Sequence, residues 1–208
     1  MQILKFGGTS VANAENMRRV AGIVKTASGK DKIAVVLSAM GGVTDQLLEA
    51  ANEAANGRLR WESILQTITN RHFEALKELF GERDASSTSR ELSKALDELR
   101  LVLNGVYLLG ELSDRTKDRV AGFGEWLSSK LFAAWYAENH GETTWTDSRA
   151  IIVTDKNFGK ATVDVTVTNK RISEYFEQEI KKVYILPGFI ASSVEGHPTT
   201  LGRGGSDY

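Results

Sequence analysis

Three short apolar runs, each closed by a glycine-bearing loop, constrain this chain more than any other feature. Residues 2–6 run into Gly7-Gly8, Ile33-Ala34-Val35-Val36-Leu37 runs into the Ser38–Thr44 stretch with Gly41-Gly42, and Val183-Tyr184-Ile185-Leu186 runs into Pro187-Gly188. Continuous β-branched runs of this length suit parallel strands covered on both faces. Each is therefore read as a buried strand ending in a tight loop, and the opening β-turn-α-β pattern as the start of an α/β fold. In such sheets the carboxyl ends of the strands line the ligand crevice. The three loops then open on one edge, with helix N-termini behind them, and that edge suits anions.

The intervening segments read mainly as helices. Met17, Val20, Ala21 and Val24 share one face of a helix from about Asn13. Thr44 is placed as the N-cap of a helix carrying Leu47, Leu48, Ala51 and Ala55, with Gly57 as its stop. Trp61, Ile64, Leu65, Ile68, Leu76 and Leu79 form one helical stripe, and Leu92, Ala95, Leu96, Leu99 and Leu103 a second. This block, about 58–110, reads either as an inserted helical subregion or lid, or as a plain helical layer. A further helix spans about Asp114–Asn139, with Val120, Phe123, Leu127, Leu131 and Trp135 facing inward. Thr143–Thr146 and Ala150–Thr154 read as short strands. The strict alternation of Thr162–Val167 reads as a half-buried strand, and Thr168 as the cap of a helix through Lys182 with Ile172, Tyr175, Phe176 and Ile180 as its face. No repeat and no linker divides the chain.

Composition narrows the chemistry. The net charge is −1 with 25% charged residues, which argues against a nucleic-acid surface or a polybasic membrane patch. There is no cysteine, so no disulfide, thiolate metal site or cysteine nucleophile is available. The longest apolar run falls far short of the roughly 20 residues a membrane-spanning helix needs. Nor does the N-terminus carry a basic segment followed by a long apolar one. A soluble cytoplasmic protein is the expectation.

Lys5 sits on the strand before the first glycine loop. A lysine inside a buried strand is costly unless paired or used; its alternative is an edge position with the ammonium reaching out to water. Neither the P-loop pattern nor a dinucleotide-binding glycine fingerprint is present. Gly122 and Gly124 lie within a helix, where each costs about 1 kcal/mol relative to alanine. They make sense if something approaches that helix closely. Glu125 beside them reads, on its own surroundings, as a solvated helix charge. His72 reads as a partly buried structural residue, and no spacing resembles a metal site. The terminal Leu201-Gly202-Arg203-Gly204-Gly205-Ser206-Asp207-Tyr208 combines backbone donors with one cation, a hydroxyl and a carboxylate. Arg203 can grip a carboxylate through two parallel hydrogen bonds.

Three of these stretches resemble the motifs of aspartate kinases. Lys5-Phe6-Gly7-Gly8-Thr9-Ser10-Val11 is similar to their opening motif, and Phe123-Gly124-Glu125-Trp126-Leu127-Ser128-Ser129 to their central Gly-Glu-x-x-Ser motif. Gly188-Phe189-Ile190-Ala191, followed by Thr199 to Tyr208, is similar to their most recognisable block. The resemblance spans nearly the whole chain. It implies the amino-acid kinase fold, a three-layer αβα sandwich around a mostly parallel sheet. It also implies transfer of the ATP γ-phosphoryl group, with Mg²⁺ riding on the nucleotide, to the side-chain carboxylate of L-aspartate. That reaction gives 4-phospho-L-aspartate, the first step towards lysine, threonine and methionine.

Residue by residue, the resemblance implies that Lys5 neutralises charge on the transferring phosphoryl group. Gly7, Gly8, Thr9, Gly204 and Gly205 bind phosphate. Ser38 and Thr44 match positions that line the aspartate site. Glu125 takes the substrate ammonium, which does reverse its reading as a solvated charge. Arg203 and Ser206 hold the α-carboxylate end, and Asp207 orients lysines around the phosphates. No protein base is needed, because the attacking carboxylate is already ionised at neutral pH.

Family members continue past Ser-Asp-Tyr into the nucleotide-binding half, then into ACT regulatory domains and sometimes a homoserine dehydrogenase. Residues 1–208 are accordingly expected to be the amino-acid-binding part of the kinase domain, doubtful in activity alone, from a homo-oligomeric parent. The opening, through Asn13-Ala14-Glu15, is similar to the bifunctional kinase–dehydrogenase type. A catalytically silent ligand-binding or assembly module is the alternative. Apolar surface near Val183–Ile190 is expected to be exposed for want of neighbours.

Overall fold

In a computed structural model, residues 1–141, 143–178 and 181–202 are described. Along the chain the elements are β1 (Gln2–Phe6), a single 3-10 turn (Gly8–Val11), α1 (Ala14–Ser28), β2 (Ile33–Leu37), α2 (Val43–Ala55), α3 (Arg60–Phe80), α4 (Ser86–Leu109) and α5 (Asp114–His140). They continue as β3 (Thr143–Trp145), α6 (Ser148–Ile151), β4 (Val153–Thr154), α7 (Val165–Gln178), β5 (Val183–Pro187), β6 (Ile190–Ser193) and β7 (Pro198–Thr200).

The apolar runs become β1, β2 and β5 of a four-stranded, all-parallel sheet in the order β1-β2-β5-β3. Successive side chains on a strand point to opposite faces, and in β2 and β5 both faces are covered. Ile33, Val35, Leu37, Val183 and Ile185 enter the main core, against α1, α2 and α5. Ala34, Tyr184 and Leu186 enter a smaller cluster on the other face, with Ile151 of α6 and Ile172, Tyr175 and Phe176 of α7. That two-sided burial is why the β2 and β5 runs carry no polar alternation, and it makes the α/β sandwich. A second sheet of order β4-β6-β7 follows, parallel between β4 and β6 and antiparallel between β6 and β7.

The two stripes of the helical block become α3 and α4. Both pack on α2 and α5, and their apolar residues belong to the same core cluster as the sheet. Ser113 caps α5 by accepting the Thr116 N–H at 3.2 Å. No helix is long and apolar enough to cross a membrane among the described residues.

Several expectations change. β1 is not buried: it lies at the sheet edge, with Ile3 69% exposed. Its Leu4 and Phe6 pack on the main core, while Ile3 faces a groove of about 450 Å³ shared with Val36, Ile172, Phe176, Leu186 and Phe189. Residues 183–187 are buried throughout, because β5 runs between β2 and β3. The expected exposed surface at that strand is therefore absent. Ala150 is in α6, not in a strand. The Thr162–Val167 strand stops at Val163, which bridges to Thr154, and a helix starts at Val165. Asp164 wins that position by accepting the Val167 N–H at 3.0 Å, as an N-cap does. Thr168 is not the cap; it is buried inside the helix, where its Oγ1 accepts the Val153 N–H at 3.0 Å.

Candidate functional site

The first two glycine loops meet at the carboxyl ends of β1 and β2. The Ser38 N–H donates to Phe6 O at 3.1 Å, and the Gly41 N–H donates to Gly8 O at 2.9 Å. A Cβ on Gly8 would stand 2.9 Å from Ala39 O, and one on Gly41 would stand 3.3 Å from Gly8 O. The two backbones touch because both positions lack a side chain. The third loop joins them: the Gly188 N–H donates to Leu37 O at 2.8 Å, and a Cβ there would meet Val36 Cγ1 at 3.0 Å. All three loops thus lie at one edge of the sheet. α1 and α2 leave that edge N-terminus first, as an anion-binding edge requires.

α2 begins after Gly42, whose φ of 81° puts it in the left-handed region. Gly42 is the N-cap, and Thr44 is the second residue of the helix, half-buried. A glycine with positive φ turned the chain more cheaply than a threonine cap, because a Cβ penalises that conformation. Ser38 is half-buried, and its carbonyl accepts the Ser128 Oγ–H at 2.7 Å. Thr9 is exposed, its carbonyl accepting from Asn16 Nδ2 at 2.7 Å. Asn13 fixes the start of α1 by accepting the Asn16 N–H at 2.9 Å. Lys5 is exposed, opposite Val36 in the strand register. The edge position considered for it is the one it occupies.

α5 forms the wall behind the second loop. Gly124 lets it approach: a Cβ there would stand 2.8 Å from Ala39 Cβ and 3.3 Å from Leu47 Cδ1. Gly122 does the same for Ile190, at 3.2 Å. The close neighbours these glycines admit are the protein's own side chains. Glu125, next along, is 4% exposed and not solvated. Burial pushes its carboxyl up to about 7, against the opposing effect of a hydrogen bond accepted from the Ala39 backbone. Its Oε2 has no partner among the described residues. A buried carboxylate with an unused oxygen, against a loop at the strand ends, is a receptor for a cation or a donor.

Two residues had no signal in the sequence. Arg71, on α3, donates from Nη1 to Gly41 O at 2.6 Å and from Nη2 to Ala12 O at 3.0 Å. Asp118, 3% exposed on α5, accepts the Thr200 N–H at 3.0 Å, the Thr200 hydroxyl at 2.6 Å and the Gly159 N–H at 3.0 Å. Both face partners distant in sequence, which no local pattern encodes. Arg203, Gly204, Gly205, Ser206 and Asp207 lie outside the described residues. The structure therefore brings together Gly7, Gly8, Thr9, Ser38, Thr44 and Glu125, with Lys5 on the strand leading in.

Comparison with known proteins gives the family. A family model described as the amino acid kinase family matches residues 1–208. The chain is 33% identical over 207 residues to lysine-sensitive aspartokinase 3 of Escherichia coli strain K12, covering 99% of this chain and 44% of that protein. It is 32% identical over 205 residues to a chloroplastic bifunctional aspartokinase/homoserine dehydrogenase 1 of Arabidopsis thaliana, covering 98% of this chain and 22% of that protein. Among solved structures, E. coli aspartokinase III in complex with aspartate and ADP matches with a TM-score of 0.88 at 30% identity, over 100% of this chain and 45% of that one. The same enzyme in complex with lysine and aspartate gives 0.89 at 31% identity, also over 45% of its length. The chain thus spans less than half the length of these relatives, but it matches its family model throughout: it belongs to the amino acid kinase family.

Proposed function

We propose that this chain forms the aspartate-binding surface, and part of the phosphate-binding surface, of an aspartate kinase. The observation that carries the reading is Glu125: a buried carboxylate with an unused oxygen, wedged against the loop that follows β2. A solvated helix charge would need none of this. A substrate ammonium supplies the missing partner, and pairing with it draws the carboxyl into its ionised form.

Phosphoryl transfer is mostly positioning and charge stabilisation. Ser38 and Thr44 would line the amino-acid site beside Glu125, while the Gly7–Thr9 loop and Lys5 would face the phosphates. Arg203 and Ser206 would take the α-carboxylate, with Gly204, Gly205 and Asp207 on the phosphate side. ATP would arrive as its Mg²⁺ complex, the metal held largely by phosphate oxygens. The β-carboxylate of aspartate, ionised at neutral pH, attacks the γ-phosphorus and ADP leaves; no protein base takes a proton. The product is 4-phospho-L-aspartate, consumed in turn by lysine, threonine and methionine synthesis.

Calorimetric titration of L-aspartate tests this, with L-glutamate and Glu125→Gln as controls. Saturable binding is expected at pH 8. Below pH 7 it weakens by up to about tenfold per pH unit, as the Glu125 carboxyl takes up a proton and can no longer pair an ammonium. Binding is lost in the variant and weak for glutamate. Affinity that ignores both pH and the substitution would remove Glu125 from the ammonium site. No binding by the parent chain would mean that the described loops do not form the site by themselves.

A further inference from the structure

We propose that Arg71 is the positioning residue that fixes the two glycine loops relative to each other. Resting on the reading above, it thereby sets the spacing between the phosphate cradle and the aspartate pocket. Its two terminal nitrogens hold two loops at once, Gly41 O at 2.6 Å and Ala12 O at 3.0 Å. Ala12 closes the 3-10 turn Gly8–Val11, so the grip on it holds the end of the first loop. Gly41 is gripped at both of its backbone polar groups, its N–H by Gly8 O at 2.9 Å and its carbonyl by the guanidinium.

The side chain has no ion-pair partner among the described residues. Its charge is spent on backbone carbonyls, where charge-assisted donation is stronger than a neutral hydrogen bond. It is also rooted in a rigid place: Ile68 and His72, on the same stretch of α3, are 0% exposed, and α3 packs against α1, α2 and α5. The second loop is thus held from two helices. α5 holds Ser38 O through Ser128 Oγ at 2.7 Å, and α3 holds Gly41 O through Arg71. Lysine cannot replace this grip, since an ammonium is a point donor and the guanidinium is a fixed planar fork.

The test uses the 208-residue chain with Arg71→Met and Arg71→Lys. Three readouts are taken: site-resolved amide exchange, melting temperature and L-aspartate titration. Arg71→Met is expected to speed exchange at the Gly41 amide, and to weaken aspartate binding, by about tenfold or more each. Exchange in β2 and β5, which reports global opening, stays at the parental rate. Arg71→Lys recovers only part of both effects. If Arg71→Met unfolds the chain, the lysine variant, which keeps the charge and most of the stem, carries the comparison. Gly41 exchange unchanged, or accelerated no more than that of β2, would overturn the proposal. So would unchanged aspartate affinity with a loosened Gly41. If the parent chain binds no aspartate, the described loops do not form the site by themselves, and the Gly41 exchange arm still decides whether Arg71 clamps the loops.

Discussion

Two glycines on helices of this chain should respond to alanine with opposite signs. Gly105 lies in α4, and a Cβ there would meet nothing within 4 Å. Gly105→Ala is expected to stabilise by about 0.5–1 kcal/mol, the helix-propensity difference. Gly124 lies in α5, where the same Cβ would stand 2.8 Å from Ala39 Cβ, an atom on the loop after β2 that cannot swing away. The propensity gain is the same, but overpacking costs about 1–3 kcal/mol and outweighs it. Gly124→Ala is therefore expected to destabilise and to displace Ala39. Urea denaturation of the two variants checks the signs; two stabilising substitutions would mean that the loop yields to α5. The contrast also marks what a sequence withholds. Gly105 and Gly124 are equally anomalous as helix residues, and only the packing tells which one a neighbour requires.

The elements that were legible in the sequence are those whose signal is local and repeated. β2 and β5 announce themselves through continuous β-branched runs, and α3 and α4 through apolar stripes at spacings of three and four. The glycine loops and Glu125 could be named from motif resemblance. What the loops touch could not, since Gly8 against Ala39 and Arg71 against Ala12 are contacts between distant segments. The second sheet was nearly invisible because its strands have two to four residues. Residues 162–167 misled because a period of two over six residues is outweighed by one capping aspartate.

Asp118 shows how so small a sheet is held. Its buried carboxylate joins α5 to β7 through Thr200 and to the segment between β4 and α7 through Gly159. Asp118→Ala would leave the Thr200 N–H and hydroxyl buried and unpaired. A loss of at least about 2 kcal/mol in urea denaturation is expected. Selective loss of protection at the Thr200 and Gly159 amides should accompany it. Protection retained at both amides would show that β7 is held by its pairing with β6 instead.

On the scale of the whole molecule, two deeply buried titrating groups, Glu125 and His72, oppose each other. Glu125 has its carboxyl raised to about 7 by burial. Its proton is held more tightly in the folded state, so its contribution to stability is greatest below about pH 4.5 and is lost as pH rises through 7. His72, 0% exposed, has its imidazole lowered to about 4, first by burial; a hydrogen bond to Ile68 O at 2.8 Å opposes this. Its contribution is fully present above about pH 6.5 and is lost as pH falls towards 4. Each shift corresponds to up to about 3 kcal/mol, and the two slopes run in opposite directions across the same window. Stability of the parent chain should therefore vary little between pH 4.5 and 6.5, through cancellation. Removing one partner exposes the other. Glu125→Gln should give a chain that grows more stable as pH rises over this window, and His72→Phe one that grows less stable. Referring each variant to the parent at the same pH cancels the exposed carboxylates, such as Asp31, Asp84, Asp155 and Glu195, that titrate alike in all three chains. Urea midpoints at half-unit intervals from pH 4.5 to 7.5 measure the slopes. Parallel curves for the two variants would mean that neither proton equilibrium is coupled to folding. Opposite tilts would mean that the raised carboxyl of Glu125 is offset, in the folded protein, by a buried histidine on α3.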